Sequence, residues 1–249
     1  MESLPPYDLW PASASENFSR RLAVMAGVMI AAGALALTAD MVVAVHFQND
    51  YLPSGLEKLL KLCEAFGHGL GVGVLLATVM ILDRYRQPTL LRLVAASLGS
   101  GLVANLFKLS LARWRPQAIE LGGPVADTFI GWFPLIGSPA SQQSFPSSHT
   151  STAVGLALAL GAMYPHARSW FLCLAACVAA QRLMNGSHFL SDTFWGAAIA
   201  SGWCCAILPG GWLAKPFDLL EARSLRRRSG AACKVSSVER APDIVDRAA

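Results

Sequence analysis

Six apolar runs dominate the chain, at residues 22 to 45, 65 to 82, 92 to 107, 150 to 164, 170 to 181 and 193 to 213. A helix needs about 20 apolar residues to cross the hydrocarbon core of a bilayer. The runs therefore predict an all-α fold, a six-helix transmembrane bundle, in which the fifth helix reaches sufficient length only by borrowing residues 182 to 186. Glycine-dense stretches such as "GHGLGVG", "SLGSG" and "GAAIASG" permit close approach of neighbouring helices. The first run follows Arg20 and Arg21 but is long for a signal peptide, and it reads as an uncleaved helix.

Composition supports the membrane class. Charged residues make up 14% of the chain, against about 25% in soluble domains. The net charge is only +4, and the basic residues are scattered or terminal rather than interleaved with aromatics, which excludes a nucleic-acid binder. Cys173, Cys177, Cys204 and Cys205 lie inside apolar runs with no CxxC pair and read as small apolar helix residues, while Cys63 and Cys233 have no evident partner in the sequence.

The chain divides into an N-terminal segment, 1–21, a six-helix domain, 22–213, and a basic tail, 214–249. The "RRR" run of the tail, Arg226 to Arg228, is placed to touch anionic lipid headgroups, and its last twenty or so residues have the composition of disorder. Cytoplasmic flanks are enriched in Lys and Arg. Fourteen of the twenty fall on the side that holds both termini. Both termini are thus expected in the cytoplasm.

The six basic residues on the opposite, extracytoplasmic side are more informative. Four sit at helix ends: Lys108, Arg113 and Arg115 in "KLSLARWRP", and Arg182 in "QRLMNGSHFLSD". One such residue alone reads as a snorkelling anchor. A cluster on the side where the topology rule disfavours it reads as an anion site. The long loop between the third and fourth helices ends in "FPSSHT", where Pro146, Ser147 and Ser148 start a helix with free N–H groups and a positive dipole end. His149 stands in its first turn. Six-helix topology brings these three segments to one membrane face.

Together they suit phosphoryl transfer through a phosphohistidine. Arg115 and Arg182 can grip phosphate oxygens with planar forks while Lys108 adds a point charge, stabilising charge on the transferring group. His188 has a carboxylate four residues on, Asp192, which would fix its tautomer and leave the other ring nitrogen as nucleophile. His149, with no adjacent carboxylate in sequence, suits the role of acid toward the leaving oxygen and later base toward water.

Lys, six residues, Arg-Pro; then Pro-Ser-x-His; then Arg, five residues, His, three residues, Asp: this ordered triple, from Lys108 to Asp192, resembles the type 2 phosphatidic acid phosphatase superfamily. The resemblance implies Lys108, Arg115 and Arg182 in the phosphate pocket, with Ser147 and the backbone of Ser148 hydrogen-bonding the phosphate. It implies His149 as acid, His188 as nucleophile and Asp192 as its orienter, with no cofactor and no metal. Two residues depart from the family pattern: Ser148 stands where Gly is usual, and Gln181 where Ser is usual. Arg113 has no place in the motif and reads as a snorkelling anchor. Asp40, His46, Glu64 and His68 read as interfacial.

The expected function is a bacterial inner-membrane lipid phosphatase with its active site at the extracytoplasmic face. It would hydrolyse a lipid phosphate monoester or diphosphate, of the phosphatidic acid, phosphatidylglycerol phosphate, undecaprenyl diphosphate or lipid A phosphate type. The alternatives are a lipid phosphotransferase using the same phosphohistidine, and an inactive membrane scaffold or transporter. Metal-assisted hydrolysis and nucleotide-driven pumping lack their motifs, HExxH spacing and a GxxxxGK[ST] loop.

Overall fold

The computed structural model describes residues 9–10, 16–49, 52–133 and 139–238, with side chains described at all of these except 16, 49 and 230–238. It is largely helical. The elements are α1 (Glu16–Ala36), α2 (Asp40–Asn49), α3 (Ser54–Cys63), α4 (Gly69–Leu82), α5 (Leu90–Lys108), a two-stranded ribbon β1 (Leu111–Arg113) and β2 (Phe129–Trp132), then α6 (Ser148–Met163), α7 (Arg168–Met184), α8 (Leu190–Ile207) and α9 (Lys215–Val238).

The centre of the bundle is α6. Its sequence, SHTSTAVGLALALGAM, has apolar or small residues on every face, and all residues from Thr150 to Met163 are buried. A helix apolar all round must be enclosed, and α5, α7 and α8 enclose this one while α1 lies along α8. Small residues set the spacing. A Cβ at Gly155 would fall inside the carbonyl of Ala96 on α5 and 2.6 Å from Ser100 Oγ, so α5 and α6 approach each other backbone to backbone.

The six predicted runs correspond to helices, with two corrections. The first run is broken: α1 ends at Ala36, a turn spans 37–39, and Asp40 opens a separate α2. The second correction concerns length. Among the described residues two helices, Asn17–Ala36 and Arg84–Lys108, are long and apolar enough to cross a membrane by themselves, and Ser54–Phe66 with Gly69–Leu82 makes a third if that pair, bent by 73°, is one span. At 16 residues, α6 is about 24 Å long. Its outer turn, like those of α7 and α8, carries polar site residues rather than extending the apolar run.

Of the last twenty or so residues, expected to be disordered, those up to 238 continue a helix that starts at 215, and 239–249 lie outside the described residues. α9 is fastened to the bundle by Arg92, fully buried at the start of α5. Arg92 pairs with Asp218 and lies 3.0 Å from Glu221, between the rings of Trp10 and Phe217. Arg228, in the basic run, donates to the Arg84 carbonyl at 2.6 Å. All five described cysteines are free thiols; the side chain of Cys233 lies outside the described residues.

Gly155→Ala should force α5 and α6 apart. Overpacking of this kind costs about 1–3 kcal/mol, and the melting temperature of the purified protein in detergent should fall by several degrees.

Candidate active site

The end of the bundle that carries the motif residues is held by one buried guanidinium. β1 delivers Arg113 inward, and its pairing with β2 places Thr128 and Phe129 beside it. Arg113 Nε donates to Thr128 Oγ1 at 3.0 Å, Nη1 to Ser191 Oγ at 2.8 Å and to Asp192 Oδ1 at 2.5 Å, and Nη2 to Asp40 Oδ2 at 2.6 Å. Its plane lies between the rings of Phe129 and Phe189, 4.5 and 4.2 Å from their centroids. All three charged partners are fully buried. Arg113 is therefore not a snorkelling anchor, and Asp40 is not interfacial. The ribbon turns the arginine into the protein interior, and the break at 37–39 lets Asp40 meet it.

Both carboxylates also start α8. Asp40 Oδ1 accepts from Ser191 N at 2.8 Å, and Asp192 Oδ2 accepts from Phe189 N at 2.9 Å, so the free N–H groups at this helix end are satisfied by acids, as the helix dipole favours. The preceding turn depends on Gly186, whose φ of +61° suits a residue without a Cβ. The turn brings His188 back over the end of α6.

The placement of His188 corrects one sequence reading. Its Nδ1 lies 2.6 Å from the backbone oxygen of Ser144 and 3.8 Å from Asp192 Oδ2. A carbonyl only accepts, so Nδ1 carries the proton and Nε2 keeps its lone pair. Ser144, not Asp192, holds the ring directly. Asp192 acts one step back, accepting from Ser144 Oγ at 2.6 Å and leaving its negative charge near the imidazole. Ser144 is the functional residue that sequence reasoning missed, because a backbone carbonyl has no residue signature. Burial, above all, pushes the pKa of His188 down to about 4.

The remaining predicted residues gather around this histidine. Lys108 is buried at the end of α5, donates to the Gln143 carbonyl at 2.8 Å and lies within electrostatic reach of Arg115, Arg182 and Asp192. His149 senses Arg182, His188, His68 and Lys108. Ser147 caps α6: its Oγ accepts from Thr150 N at 3.4 Å, and its own N–H donates to the Asp192 carbonyl at 3.0 Å. Ser148 and His149 border a cavity of about 330 Å³ between α4, α5 and α6, with His68 and Asn105 opposite. Arg115 Nε and Arg182 Nε are buried and have no hydrogen-bond partner among the described residues. Unsatisfied buried donors on cations are costly, and Arg115 and Arg182, within electrostatic reach of each other and of Lys108, offer donors that an oxyanion would satisfy.

Glu64, read from sequence as interfacial, enters this pocket. Its carboxylate accepts from Arg182 Nη1 and from Gln181 Nε2, each at 2.9 Å, and stands 4.0 Å from His149 Nε2. Sequence spacing carries no signal for this, since 118 positions separate Glu64 from Arg182.

A family model described as PAP2 superfamily matches residues 89–214. A lipid A 1-phosphatase of Rhizobium etli is 34% identical over 123 residues, 49% of this chain and 44% of that protein. A lipid A 1-phosphatase of Rhizobium johnstonii is 32% identical over 102 residues, 41% of this chain and 39% of that protein. The match thus spans less than half the length of these curated relatives. Among solved structures, Aquifex aeolicus LpxE has a TM-score of 0.46 at 22% identity, covering 66% of this chain and 89% of its own. A transmembrane PAP2 type phosphatidylglycerolphosphate phosphatase from Bacillus subtilis has 0.49 at 16% identity, covering 84% and 96%.

Arg113→Ala leaves two buried carboxylates unpaired, a loss of about 3–5 kcal/mol, and should lower the melting temperature by at least about 6 °C. His188 is held neutral, its folded pKa lying below its unfolded value near 6.5. Its contribution to stability is therefore complete above about pH 6.5 and is lost as pH falls toward about 4. His188→Gln should flatten melting temperature against pH across that window.

Proposed function

The chain belongs to the PAP2 superfamily, and from that premise we propose that it is an integral membrane lipid phosphatase that cleaves a terminal phosphate through a phosphohistidine, without metal. The observation that carries this reading is the pair of unsatisfied buried Nε atoms of Arg115 and Arg182 beside a histidine whose Nε2 is free to attack.

In this mechanism the substrate phosphate settles between Arg115, Arg182 and Lys108 and against the N-terminus of α6, where Ser147 and the Ser148 N–H lie. His188 Nε2 attacks phosphorus, and the bond from phosphorus to the leaving oxygen breaks. His149, protonated as the substrate's negative charge enters beside it, donates a proton to that oxygen. The imidazole now carries the phosphoryl group and a positive charge, which the Ser144 carbonyl and the nearby carboxylate of Asp192 stabilise. His149, now neutral, takes a proton from water as the water attacks phosphorus; the N–P bond breaks, inorganic phosphate leaves, and His188 is restored. Cationic groups fixed before the reaction supply the electrostatic stabilisation.

The lipid body is assigned to the cavity bordered by His149 and Ser148, because the leaving oxygen must lie against His149. In this reading the bundle spans the bacterial inner membrane with both termini cytoplasmic and the site at the periplasmic face. The names of the Rhizobium relatives favour a lipid A phosphate as substrate, and the exposed Arg226 and Arg227 of α9 face anionic headgroups. Phosphotransfer to another alcohol uses the same first half-reaction and would be revealed by a phosphorylated acceptor.

The test is phosphate release by detergent-purified protein from phosphatidic acid, phosphatidylglycerol phosphate, undecaprenyl diphosphate and lipid A, in EDTA. Wild type should release phosphate, His188→Ala should release none, and His149→Ala should be slowed by about 10²–10⁴-fold. Release that persists in His188→Ala would rule out the phosphohistidine. Arg115→Ala should raise KM for the preferred lipid.

A further inference from the structure

We propose that Glu64 is a specificity-determining residue, a resident anion in the phosphate pocket that yields to a doubly charged terminal phosphate and turns away phosphodiester headgroups. This rests on the phosphatase reading above and goes beyond it, since Glu64 lies outside residues 89–214, the part of the chain that matches the family.

The carboxylate stands where a substrate oxygen belongs. One oxygen accepts from Arg182 Nη1 at 2.9 Å and is 4.0 Å from His149 Nε2, the atom that serves the leaving oxygen. The other accepts from Gln181 Nε2 at 2.9 Å. This contact gives Gln181, one of the two departures from the family pattern, a specific role, since with Arg182 it holds both oxygens of Glu64. The backbone supports the placement. Glu64 opens the short 3-10 turn Glu64–Phe66, at the 73° bend between α3 and α4. At Gly67 a Cβ would lie 2.8 Å from the His149 carbonyl oxygen and 2.7 Å from Val178 Cγ1, so the bend is pressed against the catalytic end of α6.

An incoming anion must take Arg182 from this carboxylate or share the pocket with it. A phosphodiester brings a single charge and two non-bridging oxygens, so it replaces one monoanion by another of similar reach. A terminal phosphate brings a charge of about −1.5 to −2 near neutral pH and three oxygens, enough to satisfy the idle Nε atoms of Arg115 and Arg182 together with Lys108. Only that exchange gains interactions. Specificity of this kind is a repulsive element set against the wrong ligand, and it suits an enzyme working among bilayer headgroups that are mostly diesters.

The experiment compares wild type, Glu64→Gln and Gln181→Ser in detergent. Turnover of dioctanoyl phosphatidic acid is inhibited with the diester dioctanoyl phosphatidylglycerol, and dimethyl phosphate binding is read separately by thermal shift. Diester inhibition should strengthen about tenfold in Glu64→Gln and by a smaller factor in Gln181→Ser, with KM for the monoester falling rather than rising. Dimethyl phosphate should stabilise Glu64→Gln and leave wild type unshifted. Equal diester inhibition and equal thermal shifts in all three proteins would overturn the proposal. So would a fall in kcat at constant KM in Glu64→Gln, which would make Glu64 a positioning residue for His149. If wild type releases no phosphate from any lipid, the phosphatase reading fails, and the thermal shifts, which need no turnover, still decide what Glu64 does.

Discussion

The buried Arg113 is the interaction on which the motif-bearing half of the molecule depends. Its guanidinium joins the ribbon to α2 through Asp40 and to α8 through Ser191 and Asp192, with a phenylalanine ring on each side. An ion in this position would be costly if its partners were missing; here each of the three guanidinium nitrogens has at least one. The network fixes the N-terminus of α8, hence Asp192, hence Ser144, and through the Ser144 carbonyl the ring of His188.

Two sets of cations lie near that histidine. Arg113 is shared by two carboxylates and has a partner at each of its three nitrogens. Lys108, Arg115 and Arg182 lie within electrostatic reach of one another, and the Nε atoms of Arg115 and Arg182 have no partner among the described residues. A satisfied network rigidifies; in the proposed mechanism a phosphate completes the second set, and Glu64, in the turn after α3, holds Arg182 until it does.

Much of the site was legible because its chemistry is local in sequence. Lys108, Arg115, His149, Arg182 and His188 lie at or just beyond helix ends, and the structure brings them within electrostatic reach of one another. The helices themselves were legible from apolar runs, although periodicity could not reveal that the first run breaks at 37–39 or that the tail forms α9. Arg113, Asp40, Ser144 and Glu64 were misread or missed. Each acts through a partner on another element or through its backbone, and no spacing rule reports such a contact.

The sequence by itself determined the helical class, the order of the phosphate-binding and histidine motifs, and the two residues, Ser148 and Gln181, that depart from the family pattern. Tertiary structure alone decided which carboxylate does what. Asp192 stands four residues from His188, yet it acts through Ser144 because a closer acceptor reaches the ring first. Asp40 and Glu64, polar residues beside apolar runs, became respectively the counter-ion of a buried arginine and a partner of Arg182 and Gln181. Burial and proximity set the work of a charge, and both are properties of the packed chain rather than of its sequence.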